Sequence, residues 1–262
     1  MNRVHALLLL LFSLAMCQAG AATVQACADQ AEMPPFVYAE RVHGQRSGQV
    51  VGASVDLLNL IGARHGWQVQ VQLLPWARCL ALVADHRVAL ALNIGQADAT
   101  ASKLLLSDAY FTMHNVYFYS RRARPQGIHL RQLADVHRYH LCGLGGYRFE
   151  AYGIATADVD RGATIGYEQL IGKLHLGRCD LFIDSRETMA GQYLINPTLR
   201  GMLVDGTLVS QPLPGSPLRE LYFGVAASGA GAAQLLRTIN AGLARLDKTK
   251  ELDKLLAHYL ED

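Results

Sequence analysis

The sequence lacks the marks of several common protein classes. It contains no P-loop, no G-x-G-x-x-G, no C-x-x-C and neither of the hydrolase motifs G-x-S-x-G and H-E-x-x-H. Nucleotide binding, a cysteine-rich zinc site and those hydrolase chemistries are therefore not expected. Charged residues are only 18% of the 262, the net charge is +2, and Lys and Arg are scattered. No nucleic-acid partner is expected, because such partners require a clustered basic surface.

The N-terminus has the pattern of a secretory signal peptide. A short basic start precedes an apolar run at residues 6–16 that is too short to span a bilayer, and residues 19–21 read Ala-Gly-Ala, a cleavage-site pattern. A lipid anchor at Cys17 would need a small residue before it, where the sequence has Met16. We therefore predict a signal peptide over residues 1–21 and a mature protein in the periplasm. No later run is apolar enough to predict membrane insertion.

Four cysteines remain after this cleavage: Cys27, Cys79, Cys142 and Cys179. An even number in an oxidising compartment favours two disulfides, although four cysteines allow three pairings and the sequence does not choose among them. If the two halves of the chain move, each pair should lie within one half, because a bridge between moving halves would lock them. The alternative is four reduced, buried thiols.

The order of elements indicates an α/β fold with parallel strands. A strand at residues 23–28, a helix at 52–66, an alternating strand at 67–73, a helix beginning at Trp76 and an apolar strand at 88–92 follow one another. The polar loop predicted at residues 93–100 follows that last strand. Ligands of open α/β sheets bind outside the carboxyl ends of strands, so this loop is a predicted small-molecule site.

The second half contains a glycine-rich turn at residues 143–148, which we predict leads into a helix at Phe149. Free backbone N–H groups at such a helix start would bind an anion. His137 and His140 near Cys142 resemble metal ligands, but they lack further ligands at tetrahedral spacing, so neither a metal nor a cofactor is expected. Two helices are predicted at the end of the chain, the second with Leu252, Leu255, Leu256 and Tyr259 on one face.

Several short motifs occur in an order that resembles one protein family. They are Met33-Pro34-Pro35-Phe36, Val55-Asp56-Leu57-Leu58, Pro75-Trp76, Leu106-Ser107-Asp108-Ala109-Tyr110 and Gly177-Arg178-Cys179-Asp180. Nearly the whole mature chain resembles the extracytoplasmic solute-binding proteins, family 3, which supply polar amino acids to ABC importers. The resemblance implies the two-lobed type II periplasmic-binding-protein fold, which closes on a ligand by a hinge. Lobe 1 would comprise residues 22–115 and 217–262 and lobe 2 residues 116–216, with hinge crossings near 116–121 and 208–216.

The resemblance also implies a set of ligand-binding residues. Trp76 matches the aromatic residue that stacks on the ligand, and Met33 stands where the family usually has another aromatic. Asn93 and Gly95 match the groups that bind the ligand carboxylate. The predicted set is Met33, Phe36, Trp76, Asn93, Gly95, Thr100, Tyr147, Arg148 and Asp184. Core packing of Trp76 and Phe36, and a helix-capping role for Asp184, are the structural alternatives.

Two departures from the family pattern concern the ligand. The arginine that clamps the ligand α-carboxylate is replaced by Thr100, and the aspartate that binds the ligand ammonium is replaced by Ser185, with Asp184 one position earlier. One hypothesis is that Arg148 replaces the missing clamp from the other lobe. The other is that the ligand is not a free α-amino acid.

The predicted function is therefore capture of a small polar ligand between two lobes by a monomeric, non-enzymatic protein, with an ABC-transporter permease as the partner that the family implies. The alternatives are an enzyme resembling cyclohexadienyl dehydratase, which shares this fold, and a sensory or interaction module with a degenerate cleft. The dehydratase must also hold a carboxylate, so the missing arginine counts against it as well.

Overall fold

Two β-sheets organise the chain. The computed structural model describes residues 22–203 and 206–246, together with residues 250, 254, 255, 257 and 258. The predicted signal peptide lies outside the described residues, as does most of the second terminal helix, including Leu252, Leu256 and Tyr259. The alternation of strands and helices confirms the predicted α/β class.

The strands of the described chain are β1 (Ala22–Asp29), β2 (Tyr38–Val42), β3 (Gln45–Val51), β4 (Trp67–Leu74), β5 (Leu90–Ile94), β6 (Leu104–Leu106), β7 (Phe111–Met113), β8 (Asn115–Ser120), β9 (Leu141–Cys142), β10 (Leu181–Ser185), β11 (Leu208–Pro212) and β12 (Arg219–Ala226). The helices are α1 (Ala53–Ala63), α2 (Trp76–Ala84), α3 (Gln96–Ser102), α4 (Tyr167–His175), α5 (Arg186–Ile195), α6 (Pro197–Leu203) and α7 (Ala230–Arg245). Short 3₁₀ helices cover Leu133–Arg138, Glu150–Tyr152 and Thr156–Asp158.

The six-stranded sheet has the order β4-β1-β5-β12-β6, with β7 also paired to β12. β1 is parallel to β4 and β5, while β12 returns antiparallel to β5. The apolar side chains of this sheet pack against α1 and α7 in one buried cluster, which includes Phe36, Leu58, Phe223 and Ile239. The carboxyl ends of β1, β4 and β5 consequently lie at one edge of the sheet.

The four-stranded sheet has the order β11-β8-β10-β9. β8 is antiparallel to both β10 and β11, and β10 is parallel to β9. Alternate residues of β10 face opposite sides of the sheet, as a strand requires. Phe182 packs in the cluster with α4, whereas Leu181 and Ile183 pack in the cluster with Phe149 and Tyr152.

The chain passes between the sheets twice, at His114 between β7 and β8 and at residues 213–218 between β11 and β12. The two connections are bonded to each other, because the Asn115 side chain donates to the Pro217 carbonyl (2.8 Å) and the Leu213 N–H donates to the Asn115 carbonyl (3.0 Å). The start of α5 is bonded to the first connection. The His114 N–H donates to the buried Glu187 carboxylate (2.9 Å), and the Arg186 N–H donates to the His114 carbonyl (2.9 Å).

A second contact joins the parts of the chain that carry the two sheets. Gly191 of α5, which follows β10, lies directly against the backbone of Pro34 and Pro35, which follow β1. A methyl group added at Gly191 would overlap that backbone. Glycine is therefore required at this position for α5 and the Pro34–Pro35 loop to approach as they do.

Each disulfide lies with one sheet. Cys27 of β1 is bonded to Cys79 of α2, and Cys142 of β9 is bonded to Cys179, which precedes β10. This is the arrangement expected for halves that move relative to each other, because neither bridge joins the two sheets.

Two predicted elements differ from the structure, and one pair of strands was missed. The polar loop predicted at residues 93–100 is interrupted by α3, which begins directly after Gly95. The helix predicted at Phe149 is only the 3₁₀ turn Glu150–Tyr152, since Gly153 adopts the left-handed conformation (φ 78°) and ends it. The helix-start anion site predicted there is therefore absent from this stretch. The antiparallel pair β2–β3, joined at His43 and Gly44, was missed, because β3 is largely polar and exposed.

Candidate functional site at the connection between the sheets

Asp184 lies at the carboxyl end of β10 and is only 5% exposed. Its Oδ2 accepts a hydrogen bond from the Tyr167 hydroxyl (2.5 Å), and its Oδ1 accepts from the Tyr152 hydroxyl (3.1 Å) and the Ser185 N–H (2.7 Å). The helix-capping alternative for Asp184 is wrong, because Ser185 caps α5 by accepting from the Thr188 N–H (3.0 Å). Asp184 is a buried carboxylate held by two tyrosines.

Burial dominates the electrostatics of this group. It raises the pKa of Asp184 above the usual value, although hydrogen bonds from Tyr167 and Ser185 and the charge of Arg219 oppose the increase. Burial also raises the pKa of both tyrosine hydroxyls, and the nearby Asp184 carboxylate adds to that effect. Tyr152 and Tyr167 therefore remain protonated and donate to Asp184 at neutral pH.

Replacing Asp184 by asparagine should change how stability depends on pH. A carboxyl whose folded-state pKa is raised stabilises the protein most below its unfolded pKa, about 3.9, and that contribution is lost as pH rises through the folded value. The unfolding free energy of wild type minus that of Asp184→Asn should therefore decrease between pH 4 and 8. The decrease is about 1.4 kcal/mol for every tenfold difference in proton affinity between the folded and unfolded carboxyl. Urea unfolding over pH 3–8 measures it.

Asp180 provides the control of opposite sign. Burial acts to raise its pKa, but hydrogen bonds from the His140 N–H and Arg124 outweigh that effect, so the pKa is lowered. Its stabilising contribution is present above the unfolded pKa and is lost as pH falls through the folded value. The unfolding free energy of wild type minus that of Asp180→Asn should therefore increase with pH at the acid end of the series. A pH-independent difference for Asp184→Asn would contradict the burial argument.

Arg219, which no sequence motif indicated, lies beside this carboxylate. Its guanidinium carbon is 4.5 Å from the centre of the Tyr152 ring, and its charge lowers the pKa of Asp184. The strand registers explain the proximity, because Arg219 pairs with Met113 and Asp184 pairs with Val116, on either side of His114. The segment linking the two sheets thus brings an arginine of β12 to an aspartate of β10.

Tyr147 and Asp29 extend the group, whereas Arg148 does not. Tyr147 is 40% exposed, and the pKa of its hydroxyl is raised by partial burial and then by the charges of Asp184 and Asp29, so residues from both sheets act on this hydroxyl. The Arg148 side chain is 84% exposed and its Nε lies 3.7 Å from the Glu150 carboxylate. This placement does not support the hypothesis that Arg148 replaces the missing clamp.

Asn93 occupies the carboxyl end of β5 and adopts a left-handed backbone conformation (φ 56°). Its Oδ1 accepts from the Ser54 and Tyr110 hydroxyls (2.7 Å each), and its N–H donates to the Tyr110 oxygen (2.9 Å). Its Nδ2 is buried without a hydrogen-bond partner. Because a buried amide without a partner is costly, Asn93 Nδ2 is an unsatisfied donor at this end of β5.

The other predicted residues on α2 and α3 have intramolecular partners. Trp76 is partly buried, and its Nε1 donates to Asp98 (3.0 Å). The Thr100 hydroxyl donates to the Gln96 carbonyl one turn earlier in α3 (2.8 Å), so it cannot act as a substitute clamp in this conformation. Gly95 precedes α3 and is partly exposed.

Met33 and Phe36 flank the two prolines after β1. Phe36 is 0% exposed and packs 5.0 Å from the ring of Phe111, so the structure places its side chain in the core rather than on a surface that a ligand could contact. Met33 is partly buried against the same cluster. Packing, the alternative considered for Phe36, explains its position.

The structure therefore brings together only part of the predicted set. Asp184 and Tyr147 form one group with Tyr152, Tyr167 and Arg219, while the remaining residues are distributed over the six-stranded sheet or, for Arg148, the surface. Two cavities of about 370 and 310 Å³ adjoin the connections, and none of the nine predicted residues is among those that line them.

His140, Cys142 and Asp160 lie close together, but the disulfide of Cys142 removes the thiolate that a metal would need.

Two mixed sheets joined by two connections, with polar side chains gathered beside those connections, define a binding protein of the type II periplasmic fold. The chain belongs to the bacterial extracellular solute-binding proteins, family 3, whose family model matches residues 26–262. A search of curated proteins found no match to the sequence.

Solved structures support the fold. The amino acid ABC transporter substrate-binding protein AbpA from Streptococcus pneumoniae, bound to L-arginine, is 17% identical with a TM-score of 0.66, over 92% of this chain and 95% of that chain. An ABC uptake transporter substrate binding protein from the same species, with bound histidine, is 16% identical with a TM-score of 0.62, over 92% and 93%. A histidine kinase sensor domain is 18% identical with a TM-score of 0.62, over 92% and 96%.

Among the described residues, no helix has the length and apolar character needed to cross a membrane.

Proposed function

We propose that this protein is a periplasmic solute-binding protein that captures a small polar ligand between two lobes and delivers it to an ABC importer. In this proposal the lobes are residues 22–115 with 217–262 and residues 116–216. One observation carries it: side chains from both sheets converge beside the segment that joins the sheets, where Arg219 of β12 stacks on the Tyr152 ring and the Tyr152 hydroxyl donates to Asp184 of β10. A hinged binding protein requires its ligand contacts at such a place.

Family membership and the amino-acid ligands of two of the solved relatives support the same function. Unpartnered buried donors support it further, because Asn93 Nδ2 and Arg219 Nη1 have no hydrogen-bond partner in this structure. A polar ligand would satisfy them. In this proposal the protein binds its ligand unchanged, and hinge closure supplies the conformational change that a permease recognises.

Ligand binding should stabilise the native state by RT ln(1 + [L]/Kd), which is about 2–3 kcal/mol at tens to hundreds of Kd. For a chain of this size that corresponds to a shift in melting temperature of about 5–10 °C. A thermal-shift screen of the mature protein against amino acids, polyamines, opines and small carboxylates measures it. If no compound in the panel shifts the melting temperature, the proposed function is wrong.

Two further assays separate the alternatives. Turnover of prephenate or arogenate by the purified protein would indicate the dehydratase-like enzyme. Specific, ligand-dependent binding to a permease in detergent or nanodiscs would support the importer, whereas ligand binding without any permease complex would indicate a sensory module.

A further inference from the structure

The most unusual group in the site is the Arg219 guanidinium. Its Nη1 is buried and has no hydrogen-bond partner, although the residue as a whole is partly exposed. Within the described chain, the Arg219 side chain forms neither a hydrogen bond nor an ion pair. Its contact with this part of the protein is the face of the Tyr152 ring, 4.5 Å from the guanidinium carbon. A buried cationic donor without an acceptor is costly unless something else binds it.

Nearby carboxylates do not serve as that acceptor. Asp184 already accepts from Tyr167, Tyr152 and the Ser185 N–H. The Glu220 carboxylate accepts from the Tyr222 hydroxyl (2.5 Å). The Asp29 carboxylate accepts from the Ala31 N–H (3.0 Å). A carboxylate can accept further bonds, but among the described residues none of these acids forms an ion pair with Arg219, so the guanidinium remains available.

The surroundings also orient the guanidinium. Arg219 begins β12, where its backbone pairs with Met113, and stacking on Tyr152 limits the directions in which its N–H groups point. A planar guanidinium fixed in this way can bind a carboxylate through two parallel hydrogen bonds. This is the chemistry that Thr100 cannot provide, since its hydroxyl bonds the Gln96 carbonyl.

We propose that Arg219 binds a carboxylate of the ligand and thereby supplies, from the second connection between the sheets, the clamp that Thr100 lacks. The ligand is then a small organic carboxylate whose other end contacts Tyr147, which is 40% exposed, whereas Tyr152 and Tyr167 are buried behind it. This inference rests on the proposed binding function and names its ligand class.

Matched pairs of compounds provide the test. Mature wild-type protein is titrated with L-glutamate, L-arginine, succinate and pyruvate, and with the primary amide of each acid, by thermal shift and calorimetry. Wild type should bind at least one acid about 100-fold more tightly than its amide. Arg219→Gln should lose about 100-fold in affinity for that acid. Arg219→Lys keeps the charge but not the two parallel N–H donors of the guanidinium, and it should lose about tenfold.

Arg148→Gln is the matched control, because it removes an arginine that is 84% exposed, and it should leave the affinity unchanged. Arg219→Met tests a purely structural role. If stacking on Tyr152 were the purpose of Arg219, the melting temperature of the ligand-free Met variant would decrease. If Arg219 serves a ligand, that temperature should stay the same or increase, because an unpaired charge has been removed.

The outcomes are distinguishable. A ligand that binds wild type and Arg219→Gln equally, or an amide that binds as tightly as its acid, overturns the clamp and leaves the binding function standing. Failure of every acid and every other compound of the wider panel to bind wild type overturns both.

Discussion

Replacing Gly191 by alanine is expected to weaken ligand binding by about 10- to 100-fold while leaving the fold intact. The added methyl group would overlap the backbone of Pro34 and Pro35. Because α5 follows β10 and the proline loop follows β1, the overlap acts between the two proposed lobes rather than inside either core. Overpacking of this kind costs about 1–3 kcal/mol, and in the proposed hinge motion, in which this contact breaks when the lobes open, the cost is expected to fall on the closed form.

Two measurements check this expectation. Calorimetry with the tightest ligand from the screen gives the affinity, and small-angle scattering without and with ligand gives the radius of gyration, whose decrease on ligand addition should be smaller in Gly191→Ala than in wild type. Gly172→Ala in α4 is the matched control, since a methyl group there would contact nothing within 4 Å. A wild-type affinity and a wild-type decrease in radius for Gly191→Ala would show that the contact is not needed for closure.

Removing either disulfide is expected to lower the unfolding free energy by about 4 kcal/mol. Cys27 and Cys79 are 52 residues apart in sequence, and Cys142 and Cys179 are 37 apart. Loop-closure entropy in the unfolded chain gives about 4 kcal/mol for loops of these lengths. Since domains of this kind have only about 5–15 kcal/mol of stability, loss of both bridges should leave little of the native state.

Urea unfolding of the Cys27→Ala/Cys79→Ala and Cys142→Ala/Cys179→Ala variants measures each contribution. The two effects should add, because the bridges belong to different sheets and share no partners. A reducing agent should destabilise wild type and each double variant but leave the quadruple variant unchanged. A decrease in unfolding free energy of less than about 1 kcal/mol would indicate that the disulfides do not restrict the unfolded chain as loop-closure entropy predicts.

Periodic and local features were accessible from the sequence. The strand predicted at residues 67–73 lies within β4 (Trp67–Leu74), because the alternation of apolar and polar residues predicts a strand with one face on the core. The type II fold was predicted from the order of short motifs, each of which places a turn or a strand end. These patterns depend only on residues that are close in sequence, so turns and strand ends can be predicted from them.

The residues gathered around Asp184 could be predicted only in part from the sequence, because pairing between strands that are distant in sequence brings them together. Arg219 and Asp184 are brought together by pairing with Met113 and Val116, and these pairings cannot be read from spacing. The available signal was an arginine directly after the proline-rich crossing, in a site that lacks the family's arginine. Arg148 was chosen instead because it stands at the predicted helix start, where the family has Ser or Thr, but only a 3₁₀ turn forms there and the Arg148 side chain is exposed.

The hydrogen bonds between His114 and the start of α5 bear on the rate of ligand exchange in the proposed hinge motion. They join the first connection to the start of α5, so in the proposed hinge motion the backbone next to His114 is expected to be part of the axis. Asp184 and Arg219 lie beside that axis, whereas Gly191 is five residues into α5 from Arg186, roughly 8 Å farther along the helix. A small rotation about that axis is expected to separate Gly191 from the prolines before it opens the proposed ligand site. Association and dissociation of the ligand are therefore both expected to be slow for a given affinity. Release would then depend on a partner that stabilises the fully open form.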